Sequence, residues 1–87
     1  MTELMLERSI IKWRCRRGML ELDLFLIPFY ENQFENLNTL DKKNFIQLLE
    51  ENDVNLYQWL MGYAHSDNAD FVRIIQIIRS YKFGENS

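Results

Sequence analysis

Apolar residues recur along this chain in runs separated by short polar breaks, and their spacing predicts about five helices. From Thr2 to Arg16, Met5, Leu6, Ile10, Ile11, Trp13 and Cys15 fall on one broad stripe. The basic last turn and the following Gly18 suit a helix C-terminus, where cations complement the dipole and glycine takes the left-handed conformation that ends a helix. Met19 to Phe34 is richer in apolar residues. Leu20, Leu22, Leu24 and Leu26 alternate as in a strand, whereas Leu22, Leu26, Phe29 and Tyr30 fit the helical spacing i, i+4, i+7, i+8. No β-branched residue precedes Ile27 there, and Glu21 and Asp23 suit a helix N-terminus, so helix is the better reading. Pro28 predicts a kink or a split, because it removes a backbone donor and crowds the carbonyl four residues back.

Beyond a polar break at 36–39, Asn38 or Thr39 caps a third helix reaching Glu50 and carrying Phe45, Ile46, Leu48 and Leu49. Asp53 is expected to cap a short fourth helix with Leu56, Trp59 and Leu60 inside, ended by Gly62. After a loop from His65 to Ala69, Asp67 and Asp70 open a fifth helix. Its stripe is Phe71, Ile74, Ile75 and Ile78, with Val72 and Ile77 at the edges, and Lys82 to Ser87 is expected to fray. Together these elements predict an all-α fold: a compact antiparallel bundle of about five short helices forming a single domain over residues 1–87.

Composition narrows the choice. A chain of 87 residues holds one domain, and 47% hydrophobic residues argue against disorder. Three Gly and one Pro are too few for the tight turns of a small sandwich or barrel. The single cysteine, Cys15, and the single histidine, His65, exclude an internal disulfide and a Cys/His zinc site. The longest apolar run, Leu24 to Ile27, falls far short of the roughly 20 residues that span a bilayer, and the acidic start is unlike a signal peptide. A bacterial cytoplasmic location is expected, or the mitochondrial matrix for a processed eukaryotic form.

Charge is polarised. Residues 1–18 carry Arg8, Lys12, Arg14, Arg16 and Arg17 against Glu3 and Glu7, a net of +3, while residues 19–87 carry a net of −6. A basic end on an acidic body suits docking on one complementary protein surface. It does not suit tracking a nucleic-acid backbone, and no nucleic-acid partner or membrane insertion is expected.

The inventory for catalysis is thin. Cys15 between Arg14 and Arg16 has basic neighbours that lower a thiol pKa, and His65 could supply a base, but Cys15 shares the apolar side of its helix and reads as a packing residue. Glu50, Glu51 and Asp53 match no calcium loop, and no glycine pattern cradles a phosphate, so no cofactor site of its own is expected. The informative constellation is Arg16-Arg17-Gly18-Met19-Leu20-Glu21-Leu22-Asp23. One reading is structural: arginines at one helix end, a left-handed Gly18, acids at the next helix start. The other is functional: a tight glycine corner leaves the Arg17 guanidinium and the Glu21 carboxylate standing together, exposed, to grip a partner. A second cluster runs from Asp53 to Gly62, with Leu56, Trp59 and Leu60 facing the core and Tyr57 and Met61 available to an interface.

The run Trp13 to Asp23, followed by Pro28-Phe29-Tyr30-Glu31-Asn32-Gln33-Phe34, Phe45 to Glu50 and Asp53 to Gly62, closely resembles the SdhE/YgfY family of flavinylation factors. These are succinate dehydrogenase assembly factors, and their Arg-Gly-x-x-Glu hallmark falls on Arg17, Gly18 and Glu21. Asn55 stands where the family often carries a second acidic residue. The resemblance implies a small helical bundle, monomeric when free, that binds the flavoprotein subunit of succinate dehydrogenase, often also that of fumarate reductase. It would promote covalent attachment of FAD to a histidine of that client as a scaffold, not an enzyme, through Arg16, Arg17, Gly18, Glu21, Tyr57 and Met61. The alternative is an antitoxin-like protein that neutralises a membrane-associated partner.

Overall fold

The computed structural model describes residues 3–84, with side chains described from Ser9 to Gly84. Five helices run in order: α1 (Glu3–Arg14), α2 (Leu20–Gln33), α3 (Thr39–Leu48), α4 (Asp53–Leu60) and α5 (Ala69–Phe83), with a 3-10 turn over Phe34–Asn36 after α2. The fold is all-α, as the periodicity predicts. Met5 and Leu6 of the predicted first stripe lie outside the residues whose side chains are described.

α2 is the spine. It packs on α1, α4 and α5, while α5 also covers α3 and α4. Leu22, Leu26 and Phe29 of the predicted stripe are buried, and Tyr30 lies against Phe34 with ring centroids 5.0 Å apart. Phe45 of α3 completes the aromatic cluster, 5.5 Å from Phe29 and 5.7 Å from Phe34. Such tilted pairs each add about 0.5–1.5 kcal/mol beyond the area they bury. Ile74, Ile75 and Ile78 close the core from α5. Buried Asp41, at the start of α3, accepts two hydrogen bonds from Arg73 of α5 at 3.0 and 3.1 Å, which fastens these helices at their polar ends and pushes the Arg73 pKa up.

Several local expectations change. Pro28 does not split its helix: α2 is continuous through it. The carbonyl that Pro28 leaves without a donor belongs to Leu24, a half-exposed residue on the solvent side, where water can serve it. Asn52, not Asp53, caps α4, its Oδ1 accepting from the Asn55 N–H at 2.8 Å. Asn68, not Asp67, caps α5, accepting from the N–H groups of Asp70 and Phe71. Asparagine caps as well as aspartate, so the sequence offers two neighbouring caps at each site and tertiary demand selects between them. α5 continues through Lys82 and Phe83, two residues into the stretch expected to fray, and residues 85–87 lie outside the described residues.

Of the two tryptophans, one departs from expectation and the other meets it in part. Trp13, placed on the apolar stripe by its hydrophobicity, is 76% exposed. Cys15 is buried and Ile11 packs on the core, and Trp13 lies about 200° around the helix from Ile11, on the opposite side. Trp59 is half-buried, packed against the core with its ring 6.0 Å from Phe71, and is not part of the fully enclosed centre.

Candidate functional site

The corner between α1 and α2 is built by local hydrogen bonds. α1 ends as the Arg16 N–H bonds to the Trp13 carbonyl at 3.1 Å, and Gly18 takes φ +83°. A residue with a Cβ resists that left-handed conformation, which is why glycine stands here. The Arg17 N–H then donates to Asp23 Oδ1 at 2.7 Å, so the first turn of α2 reaches back and pins the corner. Asp23 therefore does more than complement a helix dipole.

The Arg17 side chain turns inward. Its Nε donates to Asp53 Oδ1 at 2.8 Å, Nη1 to the Leu49 carbonyl at 2.8 Å, and Nη2 to the Glu51 carbonyl at 2.6 Å. A longer bond from Nη1 reaches the Arg14 carbonyl at 3.3 Å. The side chain is only 16% exposed. Leu49 and Glu51 follow the end of α3, where carbonyls lack helical partners and carry the negative pole of the dipole. A planar guanidinium with several divergent donors can serve two such carbonyls and a carboxylate together; an ammonium cannot match that geometry. The expected exposed pair of Arg17 with Glu21 is thus not formed, because the end of α3 and Asp53 take the guanidinium. Asp53 is available for this because Asn52 has taken over the cap. Arg14 adds an exposed ion pair to Glu50 at 3.1 Å across the same junction.

What the corner leaves outward is different. Gly18, Arg16 and Glu21 are exposed, and neither Arg16 nor Glu21 has an ion pair or side-chain hydrogen bond among the described residues. Glu21 lines a groove with Leu24 and Phe25 of α2, Met61 at the end of α4, and Lys82 and Phe83 of α5. Two residues singled out from separate stretches, Glu21 and Met61, therefore meet at one place. Tyr57, one turn before Met61, is half-buried, with its ring edge-on to exposed Tyr63 at 6.1 Å. Exposed Trp13, placed on the apolar stripe by its residue type, adds apolar surface, as do Leu20 and Leu24 beyond the turn, which lie off the predicted α2 stripe. The signal that separates Trp13 from the core is its phase: it lies midway between the inward Ile11 and Cys15.

Cys15 is fully buried, and burial pushes its thiol up to about 12, with Arg17 opposing and Asp23 and Glu31 adding to the rise. A thiol so placed is a core residue with little thiolate at neutral pH. His65 is exposed, in the loop before α5.

Residues 9–82 match the family model Sdh5, described as the flavinator of succinate dehydrogenase. The chain is 39% identical over 79 residues to the FAD assembly factor SdhE of Vibrio parahaemolyticus, covering 91% of this chain and 92% of that protein. It is 46% identical over 69 residues to FAD assembly factor SdhE of Coxiella burnetii, covering 79% and 84%, and 47% identical over 62 residues to that of Aliivibrio fischeri, covering 71% and 72%. The chain belongs to the Sdh5 family, the flavinators of succinate dehydrogenase.

Proposed function

We propose that this protein docks on the flavoprotein subunit of succinate dehydrogenase and promotes covalent attachment of FAD to it, acting as a scaffold with no cofactor of its own. The observation that carries this reading is the family match over residues 9–82, which includes the whole corner with Glu21 and Arg16, unpaired among the described residues. The protein works in the cytoplasm as a free monomer that binds its client transiently. Glu21 and Arg16 contact the client by charge, Gly18 lets the two backbones approach closely, and Tyr57 and Met61 extend the contact along α4. Arg17 acts one layer below, fixing the end of α3 against the corner so that Gly18 and Glu21 are presented in one geometry.

Scaffolding is the role the geometry favours. The bond forms between the client and its own cofactor, so a helper need only hold mobile parts of the client in the reactive arrangement, and correct positioning can be worth several kcal/mol. The thiol of Cys15, buried and protonated, supports this assignment over covalent catalysis by the protein itself.

The test is complementation. In cells lacking their native factor, expression of this protein is expected to restore in-gel flavin fluorescence on the denatured flavoprotein subunit. Wild-type protein that accumulates and folds yet leaves the subunit without covalent flavin overturns the reading. The same gel run on the fumarate reductase flavoprotein reads the client range.

A further inference from the structure

The groove beside Glu21 measures about 250 Å³ and is lined by Leu24, Phe25, Met61 and Phe83 with Glu21 and Lys82. That is below the roughly 300–1,000 Å³ of small-molecule sites, so it suits a protein side chain better than a cofactor. Phe83 is 53% exposed but held in place. Its ring meets Phe25 edge-on at 5.7 Å, and the Arg79 guanidinium carbon lies 5.5 Å from its centroid. Gly84, at φ +67°, closes the last turn of α5 directly behind it through bonds to the Ser80 and Tyr81 carbonyls. Arg79 is itself anchored, its Nε donating to the Leu60 carbonyl at 3.0 Å. An exposed aromatic already fixed by neighbours loses little conformational freedom on binding, and such anchors carry most of the energy of protein interfaces.

The charges are not equivalent. The Lys82 ammonium lies 5.8 Å over the Phe25 ring, whereas the Glu21 carboxylate has no partner among the described residues. The groove also sits on the part of the chain, residues 19–87, whose net charge is −6. We propose that this groove is a docking slot for one apolar side chain of the flavoprotein client, on a segment with a basic residue beside it that pairs with Glu21. This rests on the function proposed above. Phe83 lies one residue beyond the stretch matched by the family model, so the slot adds a wall that the family assignment does not include.

The experiment measures the affinity of the purified flavoprotein subunit for the wild-type protein and for Phe83→Ala, Phe83→Leu, Leu24→Asp and Glu21→Lys, each with a thermal melt. Phe83→Ala and Leu24→Asp are expected to weaken binding by about tenfold or more, the scale of losing an interface anchor, with Phe83→Leu keeping most of the affinity. Glu21→Lys is expected to weaken binding more at low salt than at high salt. Leu24 is half-exposed, so Leu24→Asp tests the slot even if Phe83→Ala loses part of its fold. A wild-type protein that binds while Phe83→Ala and Leu24→Asp bind equally well overturns the slot and leaves the proposed function standing. A wild-type protein that does not bind the subunit removes both. A wild-type dimer that Phe83→Ala dissociates gives the groove to a second copy of this chain and overturns the client assignment.

Discussion

The α1–α2 corner holds two arginines and two carboxylates within eight residues, Arg16 to Asp23, and the fold divides them by side. On the inner side Arg17, Asp23 and, from α4, Asp53 are joined with the carbonyls of Leu49 and Glu51 into one hydrogen-bonded junction. On the outer side Arg16 and Glu21 stand without polar side-chain partners among the described residues, and Glu21 lines an apolar groove. The inner groups answer a structural need, because a helix end leaves carbonyls that must be satisfied when they are covered. α4 meets the same need in the same way: Arg79 of α5 donates to its Leu60 carbonyl and lies over Gly62. Among the described residues nothing satisfies the outer groups, which leaves them available for the proposed contact with the client. The Arg-Gly-x-x-Glu motif is thus divided by side, with Gly18 as the pivot that sends one side chain inward and leaves the other outside.

The largest effect is expected from removing the inner anchor. Arg17→Ala strips several charge-assisted bonds and leaves covered carbonyls unserved, at a cost of roughly 2–4 kcal/mol of stability. Arg17→Lys should recover only part of this, since three donors on a point charge cannot span the Asp53 carboxylate and both carbonyls. Denaturant melts check this, and Cys15 gives a local readout. Its thiol, buried and pushed up to about 12, should resist alkylation in the native protein at neutral pH and become reactive as the Arg17→Ala corner opens. If Arg17→Ala melts like the wild type while losing client binding, the division is broken, and Arg17 belongs with the outer group.

How far the sequence announced this division differs from one part of the molecule to another. The helices were legible because periodicity over ten or more residues reports burial directly: Leu22, Leu26, Phe29, Ile74 and Ile78 are where their spacing puts them. The α3 cap was legible, Asn38 being one of the two residues named for it, whereas the α4 and α5 caps were legible as types and missed by one residue, because neighbouring Asn and Asp cap equally well and, at α4, the distant Arg17 takes up Asp53. Arg17 itself was misread. Its shorter side-chain bonds go to Leu49, Glu51 and Asp53, more than 30 residues away beyond the end of α3, and no local pattern encodes a contact with distant backbone carbonyls. Trp13 was misread for the opposite reason: residue type outweighed phase. Glu21 and Met61 were each legible as interface candidates, Met61 proving half-buried against the core, whereas the groove that joins them needs α5, whose Phe83 belongs to a stretch expected to fray.

Changing the pivot should cost less than removing the anchor. At φ +83° any residue with a Cβ is strained by roughly 1–2 kcal/mol, but a Cβ at Gly18 would have no atom within 4 Å, so no clash adds to it. Gly18→Ala should therefore lower stability by about that amount, and Gly18→Asn by less, since asparagine tolerates the left-handed region. Paired melts and flavinylation assays then sharpen the comparison. A Gly18→Asn protein with a near-wild-type melt and poor flavinylation would show that the absence of a side chain is used for contact with the client. Flavinylation that simply follows stability would return Gly18 to the inner, structural group.

The smallest effect on the fold is expected at Glu21, and it is the most discriminating. The side chain is exposed and has no polar partner among the described residues, so Glu21→Ala should change stability by less than about 0.5 kcal/mol. In the proposed interface the same truncation would remove a charge from a contact desolvated on binding, where losing one partner typically costs about 2–5 kcal/mol. Covalent flavin on the client should fall steeply while the melt stays put, and Glu21→Gln should recover little, because it keeps the shape and loses the charge. Salt separates a charge effect from a shape effect. If Glu21 pairs with a basic residue of the client, raising ionic strength should weaken the wild-type complex toward the level of Glu21→Gln and leave the variant nearly unchanged. Parallel salt dependence in the two proteins would mean that the carboxylate makes no ion pair in the complex, and the outer half of the comparison would rest on the apolar groove alone.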